Sequence, residues 1–301
     1  MVALPLGNCI LVRSHSRTIA VTATFSTLPG YTLLDMHAAR QRNIKPGSPS
    51  QDRKVAGNGS EQFFVAGWQS WHRYKNRRAC PGEAYEPTEV EHVANIFTHA
   101  ISIVPALCGT AYLVSLSRSS AQTLAAIVYG LSLVALFGMS TAFHCSCYYA
   151  CESKTKFRLH ICDRATIFIF IGCSYTPWLL LRETEPVYAG FLTLTVLWLM
   201  VAGGILYQLK YHEKNKHLET LIYLFIGLTP AAAIIPSMLD HRSLWNLAQG
   251  GAVYVVGLVF FKCDGIVPFA HAIWHLFVVL GASIQYFAVV HHLYPSEAST
   301  S

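Results

Sequence analysis

The chain has 301 residues, of which 53% are hydrophobic and only 13% charged, and its mean hydropathy is +0.38. Soluble domains carry about 25% charged residues, so this balance excludes an ordinary soluble enzyme and points to a polytopic membrane protein. Much of the net charge of +6 lies before residue 80, where it suits an anionic membrane face or a polar tail rather than a nucleic-acid groove.

Residues 1–85 open with the apolar patch "LPLGNCILV", closed by Arg13. No basic stretch precedes the patch and no small-residue cleavage site follows it, so a signal peptide is not expected. The stretch "NIKPGSPSQDRKVAGNGS" has scattered Ser, Gly, Pro and mixed charge with no sustained period, which predicts a flexible region over 1–85. Asn58-Gly-Ser60 matches a glycosylation sequon, which the topology below would keep in the cytosol and unused. The nine cysteines are odd in number and sit mostly in or near apolar segments, a pattern that predicts reduced thiols rather than a disulfide framework.

A bundle of seven transmembrane helices is expected over 86–294, followed by a short tail, 295–301. About 20 apolar residues cross the hydrocarbon core as a helix. The apolar segments run over 93–117, 121–146, 163–181, 187–209, 218–238, 245–261 and 268–291, and short polar loops between them favour antiparallel neighbours. Pro177, Pro230 and Pro236 fall inside segments, where neighbouring helices can satisfy the freed carbonyls.

If the N-terminus is cytosolic, the inner loops carry Lys154, Lys156, Arg158, Lys210, Lys214, Lys216 and Lys262, and the outer loops only Arg118, Arg182 and Arg242. The positive-inside rule therefore predicts a cytosolic N-terminus and a lumenal or extracellular C-terminus. This topology puts His144 at the inner end of the second segment, Asp163 at the inner start of the third, and His271 and His275 in the first turns of the seventh. Four polar residues from three helices thus share one depth.

Residues four apart lie on one helix face, so His271 and His275 can present ring nitrogens toward one point. His144 would supply a third, leaving a fourth position for water, the arrangement of a catalytic rather than a closed structural zinc. Asp163 is placed to hydrogen-bond that water or to orient a ligand, with Ser140, one turn before His144, in support. The alternative is that these histidines are interhelical hydrogen-bonders in a polar cavity. The spacing is not the H-E-x-x-H signature, because Ala272 follows His271; Asp163 is then the candidate base.

Other polar features compete. Cys145, Cys147, Cys151 and Cys162 adjoin His144 or Asp163, so a mixed His/Cys site is a second reading, although free or lipidated thiols are commoner at such places. In "EHVANIFTH", Asn95 and His99 share a face and are expected to hydrogen-bond into the bundle. "YHEKNKH", residues 211–217, reads as a solvated inner loop with scope for lipid-headgroup contact, and His291-His292 as an interfacial tip.

Ser140-Thr-Ala-Phe-His144, Asp163 and His271-Ala-Ile-Trp-His275 together resemble the S-x-x-x-H, D and H-x-x-x-H motifs of the progestin and adipoQ receptor family. The pattern is also similar to that of haemolysin III-like proteins and, more distantly, of alkaline ceramidases. "FFKCDGIVPFAHAIWHLF", "SYTPWLLLRE" and "YHEKNK" resemble the monocyte-to-macrophage differentiation factor branch in particular. The resemblance spans 86–294 and implies a seven-helix bundle with zinc (Zn2+) held by His144, His271 and His275, and Asp163 contacting a water in the open position. It also implies a Golgi or endosomal/lysosomal membrane, with the plasma membrane as a further location, and links to Ras-type signalling partners. One departure stands in the first helix: the family's acidic residue lies three before the Asn, where this chain has His92, with Glu91 one place earlier.

Two function classes follow. In one, the protein is a signalling receptor or scaffold among membrane lipids whose zinc ties helices together. In the other, it is a zinc-dependent lipid amide hydrolase, with Asp163 and Ser140 as catalytic candidates and a lipid or acyl-chain ligand as substrate. A proton relay is the weaker third reading, because no chain of ionisable groups crosses the bilayer.

Overall fold

The computed structural model describes residues 74–80, 83, 85–149, 151–184, 186–234 and 241–294, together with four two-residue strands near the N-terminus. The chain divides into two compact units, 1–66 and 67–301. In the first, β1 (Pro5–Leu6) pairs antiparallel with β2 (Cys9–Ile10), and β3 (Arg13–Ser14) with β4 (Arg17–Thr18). The flexibility expected of the rest of 1–73, and the sequon at Asn58, lie outside the described residues.

The second unit is helical: α1 Glu89–Leu116, α2 Ser120–Tyr148, α3 Ser153–Leu181, α4 Ala189–Tyr211, α5 Lys216–Ile234, α6 His241–Phe261 and α7 Ala270–Leu293. These are the seven expected segments. Six of them are long and apolar enough to span a membrane; the other, α5, is 19 residues long and carries Glu219 in its first turn. Helix starts are capped by local chemistry: Thr88 and Ser119 accept from the backbone N–H groups of Glu91 and Gln122, which satisfies donors that have no partner inside the helix.

One boundary differs by a wide margin. Helix α3 begins ten residues before the expected 163, because backbone hydrogen bonding continues through the exposed turns holding Lys154, Lys156 and Arg158 while hydropathy marks only the apolar part. Asp163 therefore sits about three turns into α3, at about 15 Å from its start. Pro177 and Pro230 lie inside helices as expected, Pro105 does so as well, and Pro236 lies outside the described residues.

Side-chain burial is that of a bundle in lipid. Phe97, Phe191, Leu199, Phe225 and Phe287 are each more than 60% exposed, facing outward where lipid tails replace water. The inner faces of α1 to α4 and α7 meet in a core that includes Leu113, Tyr129, Phe168, Trp178, Leu197 and Val289. Helix α3 packs on α2, α4, α5 and α7, and α7 closes the bundle against α1 and α6. Close approach depends on small residues. A Cβ on Gly204 would stand 2.5 Å from Phe168 Cε1, so the α3–α4 contact requires glycine there.

The end of α2, the starts of α3, α5 and α7, and the segment 74–85 gather at one end of the bundle, called here the basic end. Lys216 Nζ donates to the Glu83 carbonyl at 2.6 Å, and Lys262 Nζ to the Lys216 carbonyl at 2.6 Å. Glu83, near the end of the expected flexible region, is thus tied to the bundle. The seven cysteines from Cys108 to Cys263 are free thiols; Cys80 is disulfide-bonded, so the reduced-thiol expectation does not hold there.

Candidate metal centre

His144 lies in the last turns of α2, and His271 and His275 in the first two turns of α7. Antiparallel packing brings these helix ends to one depth, and one ligand atom from each of the three rings lies within 4.8 Å of the others. The ring centroids are 5.2 Å (His144–His271), 5.1 Å (His144–His275) and 4.7 Å (His271–His275) apart. His144 and His275 are 1% and 2% exposed.

Hydrogen bonding fixes which nitrogen of His275 is free. Its Nδ1 lies 3.2 Å from the Asn95 carbonyl oxygen and 3.0 Å from Thr98 Oγ1. A carbonyl only accepts, so Nδ1 carries the proton and Nε2 is left with its lone pair, the form a metal ligand needs. His144 is more exceptional: both ring nitrogens are buried with no hydrogen-bond partner among the described residues. Burying an imidazole without partners costs energy, so this ring fits a ligand position. Three convergent imidazoles match the donor set of zinc with an open fourth place.

Ser140 is 3% exposed, one turn before His144. The Asp163 carboxyl lies beside the Ser140 hydroxyl and within electrostatic reach of His271, but it is outside the three-ligand group. The cysteine alternative finds no support: Cys145, Cys147, Cys151 and Cys162 belong to neither ligand group among the described residues.

Helix α1 contributes more than the sequence suggested. Glu91, Asn95 and His99 are 0%, 0% and 3% exposed, so four-residue spacing keeps Glu91 on the buried face despite its offset from the family pattern, while His92 packs edge-on against Tyr148. Both Glu91 carboxylate oxygens are unpartnered by hydrogen bonds among the described residues, with Tyr85 and His271 close by. Burial, with the Glu91 charge adding to it, pushes the Tyr85 phenol above its ordinary pKa. Asn95 Nδ2 lies 3.4 Å from Tyr85 Oη, as expected of a bonding residue. His99 instead stacks on His275 at 3.8 Å and 14°, with neither ring nitrogen bonded.

The 211–217 loop is not solvated throughout. Glu213 is 6% exposed and its carboxylate meets Arg164 at 2.6 Å and Lys216 at 2.8 Å. His160, His212 and Glu213 bring three ligand atoms within 4.8 Å, yet they do not fit a cation. Arg164 donates from Nε to His160 Nε2 at 3.2 Å, so a fixed positive charge occupies the place and the nitrogens are already used. Arg164 lies within the apolar segment 163–181, so hydropathy gives no sign of its role. At the opposite end, His292 Nε2 lies 3.1 Å from Asn246 Nδ2, so this tip is tied to α6.

A family profile described as "Haemolysin-III related" matches residues 88–286, the whole of the region that builds this centre. The monocyte to macrophage differentiation factor of Homo sapiens is 45% identical over 227 residues, covering 75% of this chain and 94% of that protein. Hemolysin-3 of Bacillus cereus is 32% identical over 211 residues, covering 68% of this chain and 93% of that protein. The chain, with its multi-pass helical bundle and histidine-lined basic end, belongs to the haemolysin-III-related family of integral membrane proteins.

Proposed function

We propose that the protein is a receptor or scaffold-type signalling protein of an internal membrane, Golgi or endosomal, carrying an intramembrane zinc ion on His144, His271 and His275. The observation that carries the metal reading is the pair of unpartnered, buried ring nitrogens of His144 facing two further imidazoles. The signalling reading draws support from the relative at 45% identity, which is named for monocyte-to-macrophage differentiation. The lysine distribution supports a cytosolic N-terminus, which would put the centre near the cytosolic leaflet, within reach of lipid ligands and Ras-type partners.

Bound there, zinc would supply a tie between the second and seventh helices and a Lewis acid for a carbonyl. The second reading, a lipid amide hydrolase, is favoured by one observation: Asp163 stands beside Ser140 and near His271. In that role its carboxylate would accept a proton and Ser140 would hold it in place.

Metal analysis of purified protein tests the common part. The wild type should carry about one zinc per chain by the three-ligand count, and the triple variant His144→Ala, His271→Ala, His275→Ala should carry none. A wild type without metal refutes the reading. Asp163→Asn then separates the two functions. A hydrolase loses turnover of a lipid amide while keeping its fold and zinc, whereas a scaffold keeps its signalling output.

A further inference from the structure

His275 has a partner for Nδ1, but His271 has none within hydrogen-bond distance among the described residues. A ring that binds metal through Nε2 must carry its proton on Nδ1, and that proton needs an acceptor. The group facing it is Asp264, whose Oδ2 lies 3.7 Å from His271 Nδ1 while its Oδ1 is itself buried without a partner. His271 Nδ1, which has no hydrogen-bond partner among the described residues, thus faces Asp264 Oδ2 across a gap slightly wider than a hydrogen bond. Their side chains are 12% and 21% exposed, so solvent competes little.

Asp264 is held from outside the helices. It belongs to the α6–α7 loop, where Gly265 takes φ +73°, a conformation that favours glycine. The Gly265 N–H donates to Asn76 Oδ1 at 3.0 Å, and a Cβ on Gly265 would stand 2.5 Å from the Arg78 backbone nitrogen. Farther along the same segment, the Tyr85 ring stacks on His271 with centroids 4.8 Å apart. Asn76 and Arg78 therefore pack on the Asp264 loop, and Tyr85 on the His271 ring.

We infer that Asp264 is a positioning residue of the metal centre: its carboxylate accepts the Nδ1 proton of His271 and aims Nε2 at the ion, and Asn76 holds the loop that presents it. The inference rests on the zinc reading above and adds residues to it that touch no ligand position. A carboxylate behind a ligating imidazole raises its basicity and fixes its orientation, and loss of such a partner weakens metal affinity by about 10- to 100-fold.

The test is zinc affinity by chelator competition on the full chain in detergent, with the melting temperature of the metal-free protein alongside. Asp264→Ala should bind zinc about 10- to 100-fold more weakly than the wild type. Asp264→Asn, which keeps an accepting oxygen but no charge, should fall between the two. Metal-free melting temperatures should be equal across the set, and the cobalt-substituted absorption bands of Asp264→Ala should shift because the ring turns. Asn76→Ala, which leaves both side chains intact, should weaken binding in the same direction and serves if Asp264→Ala fails to fold. Wild-type affinity in Asp264→Ala, or in Asn76→Ala where the former does not fold, overturns the inference while leaving zinc on the histidines. A wild type that binds no zinc overturns both.

Discussion

The Arg164 guanidinium and the Glu213 carboxylate meet at 2.6 Å with side chains 9% and 7% exposed. A second carboxylate, that of Glu219, accepts from Arg164 Nη1 at 2.7 Å, and Tyr223 Oη donates to Glu219 Oε1 at 2.9 Å. This network ties α3 to the α4–α5 loop and to α5. It also holds Glu213 at φ 59°, an uncommon backbone conformation for a residue with a side chain. Removing one member strands the others without compensation. Arg164→Ala should destabilise the bundle by about 3–5 kcal/mol, read as a lower thermal midpoint in detergent, and a change within error of zero would show the pair to be dispensable.

Acidification should loosen the same loop. His160 Nε2 accepts from Arg164, so His160 donates from Nδ1 to His212 Nε2 at 3.1 Å, and His212 then donates from Nδ1 to Gln208. The Gln208 carboxamide accepts this proton once its oxygen and nitrogen are exchanged, which also gives its unpartnered oxygen a donor. Both rings are neutral in this chain of bonds. Burial first, and then the Arg164 charge, hold the His212 imidazole below its ordinary pKa, with Glu213 and Glu219 opposing and Lys216 adding to the shift. A depressed histidine favours the folded state at high pH. That contribution is complete above the ordinary histidine value, about 6.5, and declines as pH falls below it. Protection of the residue 211–215 amides against hydrogen exchange, taken relative to their intrinsic rates, should fall between about pH 6.5 and 5, and His212→Gln should flatten the profile.

Chelation should separate α2 from α7 before it unfolds the bundle. A ligand bound only by the folded state at 100 times its dissociation constant adds about 2.7 kcal/mol. Removing zinc should therefore lower the thermal midpoint of the wild type and leave that of His144→Ala unchanged. An equal response in both would place the metal elsewhere.

Helix α1 packs on α2 at a point with no room for a methyl group. A Cβ on Gly130 would lie 2.7 Å from Thr110 Cβ, and Thr110 is itself held by a 2.7 Å bond from Oγ1 to the Ala106 carbonyl. Gly130→Ala should cost about 1–3 kcal/mol. Combining it with Thr110→Ala should recover only part of that loss, because alanine keeps the Cβ that stands at 2.7 Å, and the pair of unfolding curves measures the recovery.

Much of the site was legible because two regularities are local. Hydropathy marks where a chain crosses a membrane, and the helical repeat sets His271 and His275 on one face; with antiparallel order, His144, Ser140 and Asp163 follow to the same depth. Those steps use only spacing along the chain. The tertiary structure alone decided the rest. It placed Asp264 behind His271, laid His99 flat on His275, kept Glu91 on the buried face and folded Glu213 inward to Arg164. Each of these pairings depends on the rotation and crossing of helices and on the path of a loop, set by how side chains from distant segments fill shared space, and periodicity carries no term for that.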